Sequence, residues 1–268
     1  MLRVGVFGAA GRMGAATCAA VLAAADLELV VAVDPAAAGR PLDDVAAVRG
    51  SGLEIAASPG AAAEAGAEVM VDFTVAQAAR EDLRWCADHG VHAVCGTTGF
   101  GEADLESLRA WFSGDAHAIV APNFSIGAAL MMRCAELCAP WVAGAEIVEL
   151  HHDRKRDAPS GTSLETIRRM QAARDAAGAG DWAADPTEKE LVAGARGGRS
   201  EGGLHVHSVR LPGFVAHQEV IFGLEGEILL VRHDSLDRAS FMPGVLLAVR
   251  RVAETAGLTV GLAGLLGL

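Results

Sequence analysis

Residues 149–162 read Glu-Leu-His-His-Asp-Arg-Lys-Arg-Asp-Ala-Pro-Ser-Gly-Thr, the densest run of charged and titratable groups in the chain. A histidine or lysine beside a reacting centre can deliver a proton to it. His151 and His152 are neighbours at the end of an extended run, so their side chains leave in opposite directions. Lys155, with Arg154 and Arg156, makes a positive cluster in a chain of net charge −12. Ser160, Gly161 and Thr162 then open a helix, whose start suits a carboxylate. Together these parts describe an anion pocket with a proton donor beside it. Taken singly, each has an ordinary alternative: a structural histidine, a solvated basic face, a helix cap.

A second constellation stands at the N-terminus. Gly8-Ala9-Ala10-Gly11-Arg12-Met13-Gly14 follows the first apolar run and opens a helix. Glycines there permit a tight turn and let backbone N–H groups approach a pyrophosphate, whose charge a helix start favours. The spacing is GxxGxxG rather than GxGxxG, so its weight comes from its place at the first strand-to-helix turn of a βαβ unit. Asp34 ends the second apolar run, twenty residues beyond Gly14. A carboxylate there accepts hydrogen bonds from adenosine ribose hydroxyls. The plainer alternative is glycine-permitted helix packing, with Asp34 capping a turn before Pro35. Arg12 fits either a phosphate contact or a decorated helix start.

The elements that must position these residues are legible as periodicity. Apolar runs Arg3–Phe7, Leu29–Val33, Val69–Phe73, His92–Cys95 and Ala118–Val120 alternate with helical patterns at Met13–Ala24, Gln77–His89 and Glu102–Phe112. Leu105, Leu108 and Phe112 share one helix face. Buried strands joined by crossover helices mean a parallel sheet covered on both sides. After Asn123 the pattern predicts a helix over Ser125–Val142, a strand Glu146–Leu150, a polar loop His151–Pro159, and a second helix. A glycine-rich stretch, Gly194–Gly203, reads as mobile. Runs Leu204–Leu211, Phe214–Leu224 and Glu227–His233, separated by Pro212-Gly213 and Glu225-Gly226, predict an antiparallel meander. A last helix over Pro243–Thr255 stops at Gly257. The fold class is therefore α/β, a Rossmann-type parallel-sheet domain plus a smaller α+β domain with a mixed or antiparallel sheet. The expected boundaries are 1–124, with 235–268 returning to it, and 125–234. The two constellations fall in different domains, so chemistry needs a cleft that closes about Asn123–Ser125 and Ser235–Arg238.

Composition narrows the class. The chain has 268 residues, 51% of them hydrophobic, and no tyrosine, which excludes the Tyr-x-x-x-Lys pair of short-chain dehydrogenases. The negative balance argues against nucleic acid and anionic membrane as partners. Ile126–Gly144 is interrupted by Arg133 and Glu136 and makes a poor membrane span. Met1–Phe7 reads directly as a buried strand without a basic leader. Five scattered cysteines, Cys18, Cys86, Cys95, Cys134 and Cys138, suit apolar filling in a reducing compartment. The expected location is the cytoplasm. His205 and His207 share a strand face, and His217 and His233 lie on neighbouring runs. With no acid at ligand spacing they predict an interface or pocket rim and no metal.

The run His-His-x-x-Lys-x-Asp-Ala-Pro-Ser-Gly-Thr resembles the signature of the 4-hydroxy-tetrahydrodipicolinate (dihydrodipicolinate) reductase family of diaminopimelate and lysine biosynthesis. Val4–Gly14, Asp72-Phe73-Thr74, Gly96-Thr97-Thr98-Gly99-Phe100, Ala121-Pro122-Asn123-Phe124-Ser125 and Asp234–Phe241 agree in order. Only the stretches around Pro35–Ala67 and Ala173–Gly203 look idiosyncratic. The resemblance implies His151 as acid/base and Lys155 as proton donor. It implies His152, Ser160, Gly161 and Thr162 as holders of the substrate carboxylates, with Arg238 a weaker candidate. It places Gly8, Ala9, Ala10, Gly11, Arg12, Met13, Asp34, Phe73, Thr74, Gly96, Thr97, Thr98, Ala121, Pro122, Asn123 and Phe124 along NADH or NADPH. It further implies a small dicarboxylate substrate and a homotetramer joined through the second domain's sheet. Pro35, rather than an arginine, follows Asp34, so NADH is expected to be preferred and NADPH accepted. The competing readings are another NAD(P)H-dependent reductase or amino-acid dehydrogenase on this scaffold, and a non-catalytic nucleotide-binding module, which would lack the proton-donor loop.

Overall fold

Val4 and Val6 pack on one side of the first strand and Phe7 on the other, and all three are buried. A strand buried on both faces requires helices on both. The computed structural model, which describes residues 1–268, supplies them. The chain forms two compact units, Met1–Ile126 with Arg238–Leu268, and Gly127–Asp237.

In the first unit β1 (Leu2–Phe7), α1 (Arg12–Ala23), β2 (Leu27–Val33), α2 (Leu42–Val45), β3 (Ile55–Ala56), α3 (Gly60–Glu64), β4 (Val69–Asp72), α4 (Ala76–Asp88), β5 (His92–Cys95), α5 (Glu102–Trp111) and β6 (Ala118–Val120) follow in order. The second unit contains α6 (Ile126–Cys138, from Gly127 onward), β7 (Gly144–His151), α7 (Gly161–Ala177), β8 (Gly198–Arg199), β9 (His205–Arg210), β10 (Ala216–Leu224) and β11 (Glu227–Ser235). The chain then returns to the first unit with α8 (Met242–Arg251) and β12 (Leu258–Val260).

The first sheet is parallel throughout, in the order β12-β6-β5-β4-β1-β2-β3. On one face Cys18 and Val21 of α1 and Val245, Ala248 and Val249 of α8 pack against Val4, Val6, Val69 and Val71. On the other, Ala79, Leu83 and Cys86 of α4 and Leu108 of α5 pack against Phe7, Val31, Val33 and Met70. The sheet's carboxyl ends carry the glycine turn after β1, Asp34 after β2, Phe73 after β4, Gly96 after β5 and Ala121 after β6. That edge is where an open parallel sheet binds its ligand.

The second sheet departs from the expected meander. Its order is β11-β10-β7-β9-β8, with β10 antiparallel to both β11 and β7, and β9 parallel to β7. Of the three runs expected to form the meander, only β10 and β11 pair with each other. Pro212-Gly213 marks a turn, but the chain crosses β7 there, and Leu211 N–H bonds the His151 carbonyl. The fully buried Ile147 and Glu149 explain why β7 takes the centre, flanked on both sides. Two helices also end earlier than their periodicity predicts. Pro140 lacks the N–H that α6 would need to continue, and Ala139–Trp141 form a 3₁₀ turn. The last helix likewise gives way to a 3₁₀ turn at Val252–Glu254. The glycine-rich stretch read as mobile pairs as β8 against β9. Gly197 lies so close to the Val206 carbonyl there that a Cβ would collide with it.

Candidate active site

The glycine turn is built by close approach. Gly8 has φ of +68°, and a Cβ on Gly14 would overlap the Gly8 carbonyl oxygen, so α1 can start against this turn only with glycine at both positions. Asp34 braces the turn from the next strand: its carboxylate accepts from Ala10 N–H at 3.0 Å and from Ala36 N–H at 3.0 Å. Gly11 precedes α1 without a side-chain cap. The helix's first N–H groups are thus left to an anion, the arrangement a pyrophosphate needs. Arg12 is exposed beside them.

A shelf of residues continues along the sheet edge. The Phe73 ring lies on the backbone of Gly96, where a Cβ would overlap it, and meets Phe124 edge-on at 6.1 Å. Ser125 N–H bonds the Asn123 side chain at 2.8 Å. Below the shelf, buried Asp72 accepts from Thr74 N–H at 3.0 Å, from Thr74 Oγ1 at 3.0 Å and from Thr97 Oγ1 at 2.7 Å. Residue type and spacing do not single out Asp72 as a functional group, nor Gly244, whose Cβ would strike the Phe124 carbonyl.

In the second unit the histidine pair sits at the end of β7. His151 and Glu149 are two apart in the strand, hence on one face. His151 Nδ1 bonds the Glu149 carboxylate. Glu149 is fully buried and also accepts two bonds from Arg210, at 2.8 and 2.7 Å. Burial alone would raise the Glu149 carboxyl, but hydrogen bonds from His151, Arg210 and Ser208 outweigh it and hold the group at about 2. Glu149 is therefore ionised and can only accept, so Nδ1 carries the hydrogen and Nε2 is the nitrogen left for chemistry.

His152 faces the other way, its Nδ1 accepting from Arg154 N–H at 3.2 Å. Partial burial and the charges of Arg154 and His151 hold it below its usual value. Lys155 Nζ pairs with both oxygens of Asp157, at 2.9 and 2.8 Å. The Ser160 hydroxyl, expected at the substrate, caps α7 instead: it accepts from Ser163 N–H at 3.2 Å and is buried. Ser163 passes a bond to Gln218 at 2.8 Å, and Gln218 bonds Thr166 at 2.8 Å. What this end of α7 presents to an anion is its backbone, beside Gly161, where an added Cβ would meet nothing. Arg238 is exposed at the start of the segment that returns to the first unit.

Residues 2–124 match the family described as dihydrodipicolinate reductase, N-terminus, and residues 127–266 match dihydrodipicolinate reductase, C-terminus. The chain belongs to the dihydrodipicolinate reductase family. It is 50% identical over 270 residues to the 4-hydroxy-tetrahydrodipicolinate reductase of Cutibacterium acnes, with all of both chains covered. It is 48% identical to that of Nocardia farcinica over 263 residues, 97% of each. The solved structure of dipicolinate-bound dihydrodipicolinate reductase from Paenisporosarcina sp. TG-14 superimposes with a TM-score of 0.84 at 35% identity, covering 98% of this chain and 99% of that one. The chain is accordingly an oxidoreductase with a Rossmann-like nucleotide-binding unit.

Three of the remaining histidines of this reductase have acid partners that the sequence does not disclose. His207 Nε2 pairs with Glu146 at 2.7 Å, His205 Nε2 with Asp185 at 3.1 Å, and His217 Nδ1 with Asp234 at 2.7 Å. These partners come from neighbouring strands and a distant loop, so local spacing could not reveal them. The pairs are separate, and no three such groups converge as metal ligands. No helix is long and apolar enough to cross a membrane. Burial pushes the Cys18 thiol up to about 12, which keeps it protonated as apolar filling.

Proposed function

We propose that the chain reduces 4-hydroxy-tetrahydrodipicolinate, by way of dihydrodipicolinate, to tetrahydrodipicolinate with NADH or NADPH, in diaminopimelate and lysine biosynthesis. A bound nicotinamide nucleotide supplies the hydride. Hydride arriving at one end of a conjugated imine leaves negative charge that must be protonated. His151 is fitted to deliver that proton. Glu149 fixes its Nδ1–H, so a protonated ring has one mobile proton, on Nε2. Giving it up returns a neutral ring still bonded to Glu149. Lys155 carries the second proton donor, with Asp157 holding its ammonium between turnovers. His152, Gly161 and Thr162, with the backbone at Ser160, orient the substrate carboxylates, and Arg238 adds a cation. Gly8 to Met13, Asp34, Phe73, Thr74, Gly96 to Thr98 and Ala121 to Phe124 line the nucleotide.

The observation that carries this reading is the buried Glu149 beneath His151, since a merely structural surface histidine needs no fixed tautomer. Its test is turnover by His151→Ala and Lys155→Ala, followed as loss of reduced-nucleotide absorbance with freshly generated substrate. Each variant is expected to lose about 10²-fold or more in kcat. Near-normal turnover by both would hand the proton to water and overturn the assignment.

Three finer points belong to the same proposal. The Asp34 carboxylate favours the ribose hydroxyl of NADH over the 2′-phosphate of NADPH. The enzyme works in the cytoplasm. It assembles as a homotetramer through the second unit's sheet, where Ile228, Leu229 and Leu230 of edge strand β11 are 72%, 43% and 55% exposed.

A further inference from the structure

Gln218 sits on β10 directly opposite Glu149 on β7, so both side chains leave the same face of the sheet, the face that α7 covers. Val220 and Phe222, further along that face, are apolar and fully buried, and Gln218 itself is 3% exposed. An amide in such a place loses hydration that its hydrogen bonds only offset, so a well-packed apolar side chain would serve stability as well. Proton and hydride transfer make no use of it.

The amide stands at the head of a chain of buried hydroxyls whose direction the geometry fixes. Thr166 donates its one hydroxyl hydrogen to the Thr162 carbonyl at 2.8 Å, because a carbonyl can only accept. Thr166 must therefore accept from Gln218, which orients the amide: Nε2 faces Thr166 and Oε1 faces Ser163, each at 2.8 Å. Oε1 takes the Ser163 hydrogen, so Ser163 Oγ accepts from the Ser160 hydroxyl at 2.9 Å. Ser160 Oγ in turn accepts from Ser163 N–H at 3.2 Å, closing the cap of α7. Ser160, Ser163 and Thr166 are all buried with Gln218, so water does not compete for these bonds.

The chain ties the first turn of α7 to the sheet at two points, through Ser163 to the Ser160 cap and through Thr166 to the Thr162 carbonyl. The approach beside Gly161 is open, since a Cβ there would meet nothing, and the turn is steadied from beneath. We propose that Gln218 is a positioning residue for the substrate, holding the backbone around Gly161 where a substrate carboxylate docks. Donors fixed in advance bind an anion without the cost of ordering them. This rests on the assignment of the start of α7 to the substrate carboxylates, and adds the residue on another strand that keeps that start in place.

The experiment is steady-state kinetics of the full-length protein with saturating reduced nucleotide and freshly generated 4-hydroxy-tetrahydrodipicolinate, with Tm measured alongside. Gln218→Met keeps the length of the side chain and removes both amide bonds. It is expected to raise the substrate KM about tenfold, with kcat within about threefold of wild type and NADH affinity unchanged. Ser163→Ala cuts the chain between Gln218 and Ser160 and is expected to raise KM about three- to tenfold. Met170→Ala opens a cavity under the same helix without touching the chain, and is expected to lower Tm with KM unchanged. An unchanged KM in Gln218→Met, or an equal rise in Met170→Ala, overturns the proposal. Should Gln218→Met fail to fold, an unchanged KM in Ser163→Ala overturns it. Absence of turnover by wild type would instead overturn the reaction on which it rests.

Discussion

Replacing Glu149 with glutamine removes a charge without changing shape, and its cost is expected to depend on pH in a defined way. The carboxyl titrates at about 2 in the folded chain against 4.5 ordinarily. At about 1.4 kcal/mol per pKa unit, that difference is worth about 3 kcal/mol of folding stability at neutral pH. A depressed folded value stabilises above the unfolded one, so the contribution is complete above about pH 5 and lost as pH falls toward 2. By pH 3.5 it should have shrunk by about 1.4 kcal/mol. Bidentate Arg210 is left with one weaker acceptor in the variant, which keeps the penalty at pH 7 in the same range. Urea unfolding of wild type and Glu149→Gln at pH 7 and pH 3.5 measures this. The gap between them should narrow by about half from the first condition to the second. The amide also presents a hydrogen-bond donor where His151 needs an acceptor, so kcat is expected to fall 10- to 100-fold, as for lost partners behind an ordered histidine, with KM nearly unchanged. A stability gap equal at both pH values would refute the ion-pair account of Glu149. Unaltered kcat would refute its hold on the His151 tautomer.

Three further perturbations test other parts of the structure. The ratio of kcat/KM for NADH over NADPH is expected to exceed one in wild type and to fall in Asp34→Ser; a tenfold preference for NADPH, about 1.4 kcal/mol, would mean that Arg12 or Arg40 outweighs Asp34. Gly14→Ala forces its Cβ onto the Gly8 carbonyl and is expected to weaken NADH binding at least about tenfold, whereas Gly101→Ala, whose Cβ meets only a side-chain oxygen at 3.9 Å, should bind normally; equal affinities would discount the turn geometry. Arg174 is 2% exposed, donates to the carbonyls of Ala139, Val142, Ala179, Gly180 and Asp181, and stacks on Trp182 at 4.1 Å. Arg174→Met strands those acceptors, at a cost of about 3 kcal/mol or more, and is expected to lower Tm by about 6 °C or more in calorimetry.

The groups proposed to act were legible because their chemistry is local, and the partners that hold them were not, because those are set across the sheets. The glycine turn declares itself within seven residues, since the close approach of α1 to Gly8 involves only the chain between them. His151 and Lys155 stand in one loop, so their residue types alone raise the idea of proton transfer. Glu149 was readable in principle: two residues before His151 in a strand, it had to share that face. Arg210 offered no such signal. It reaches Glu149 because β9 runs parallel to β7 and sets Arg210 opposite His151, a register no turn dipeptide encodes. The same pairing defeated the predicted meander, since Pro212-Gly213 marks where the chain turns and not which strand it joins. In each case the residue proposed to react or touch a ligand is one that type and spacing single out. The residue that sets its tautomer, charge or position is supplied by tertiary packing, where the stability cost of burying a charge is also decided.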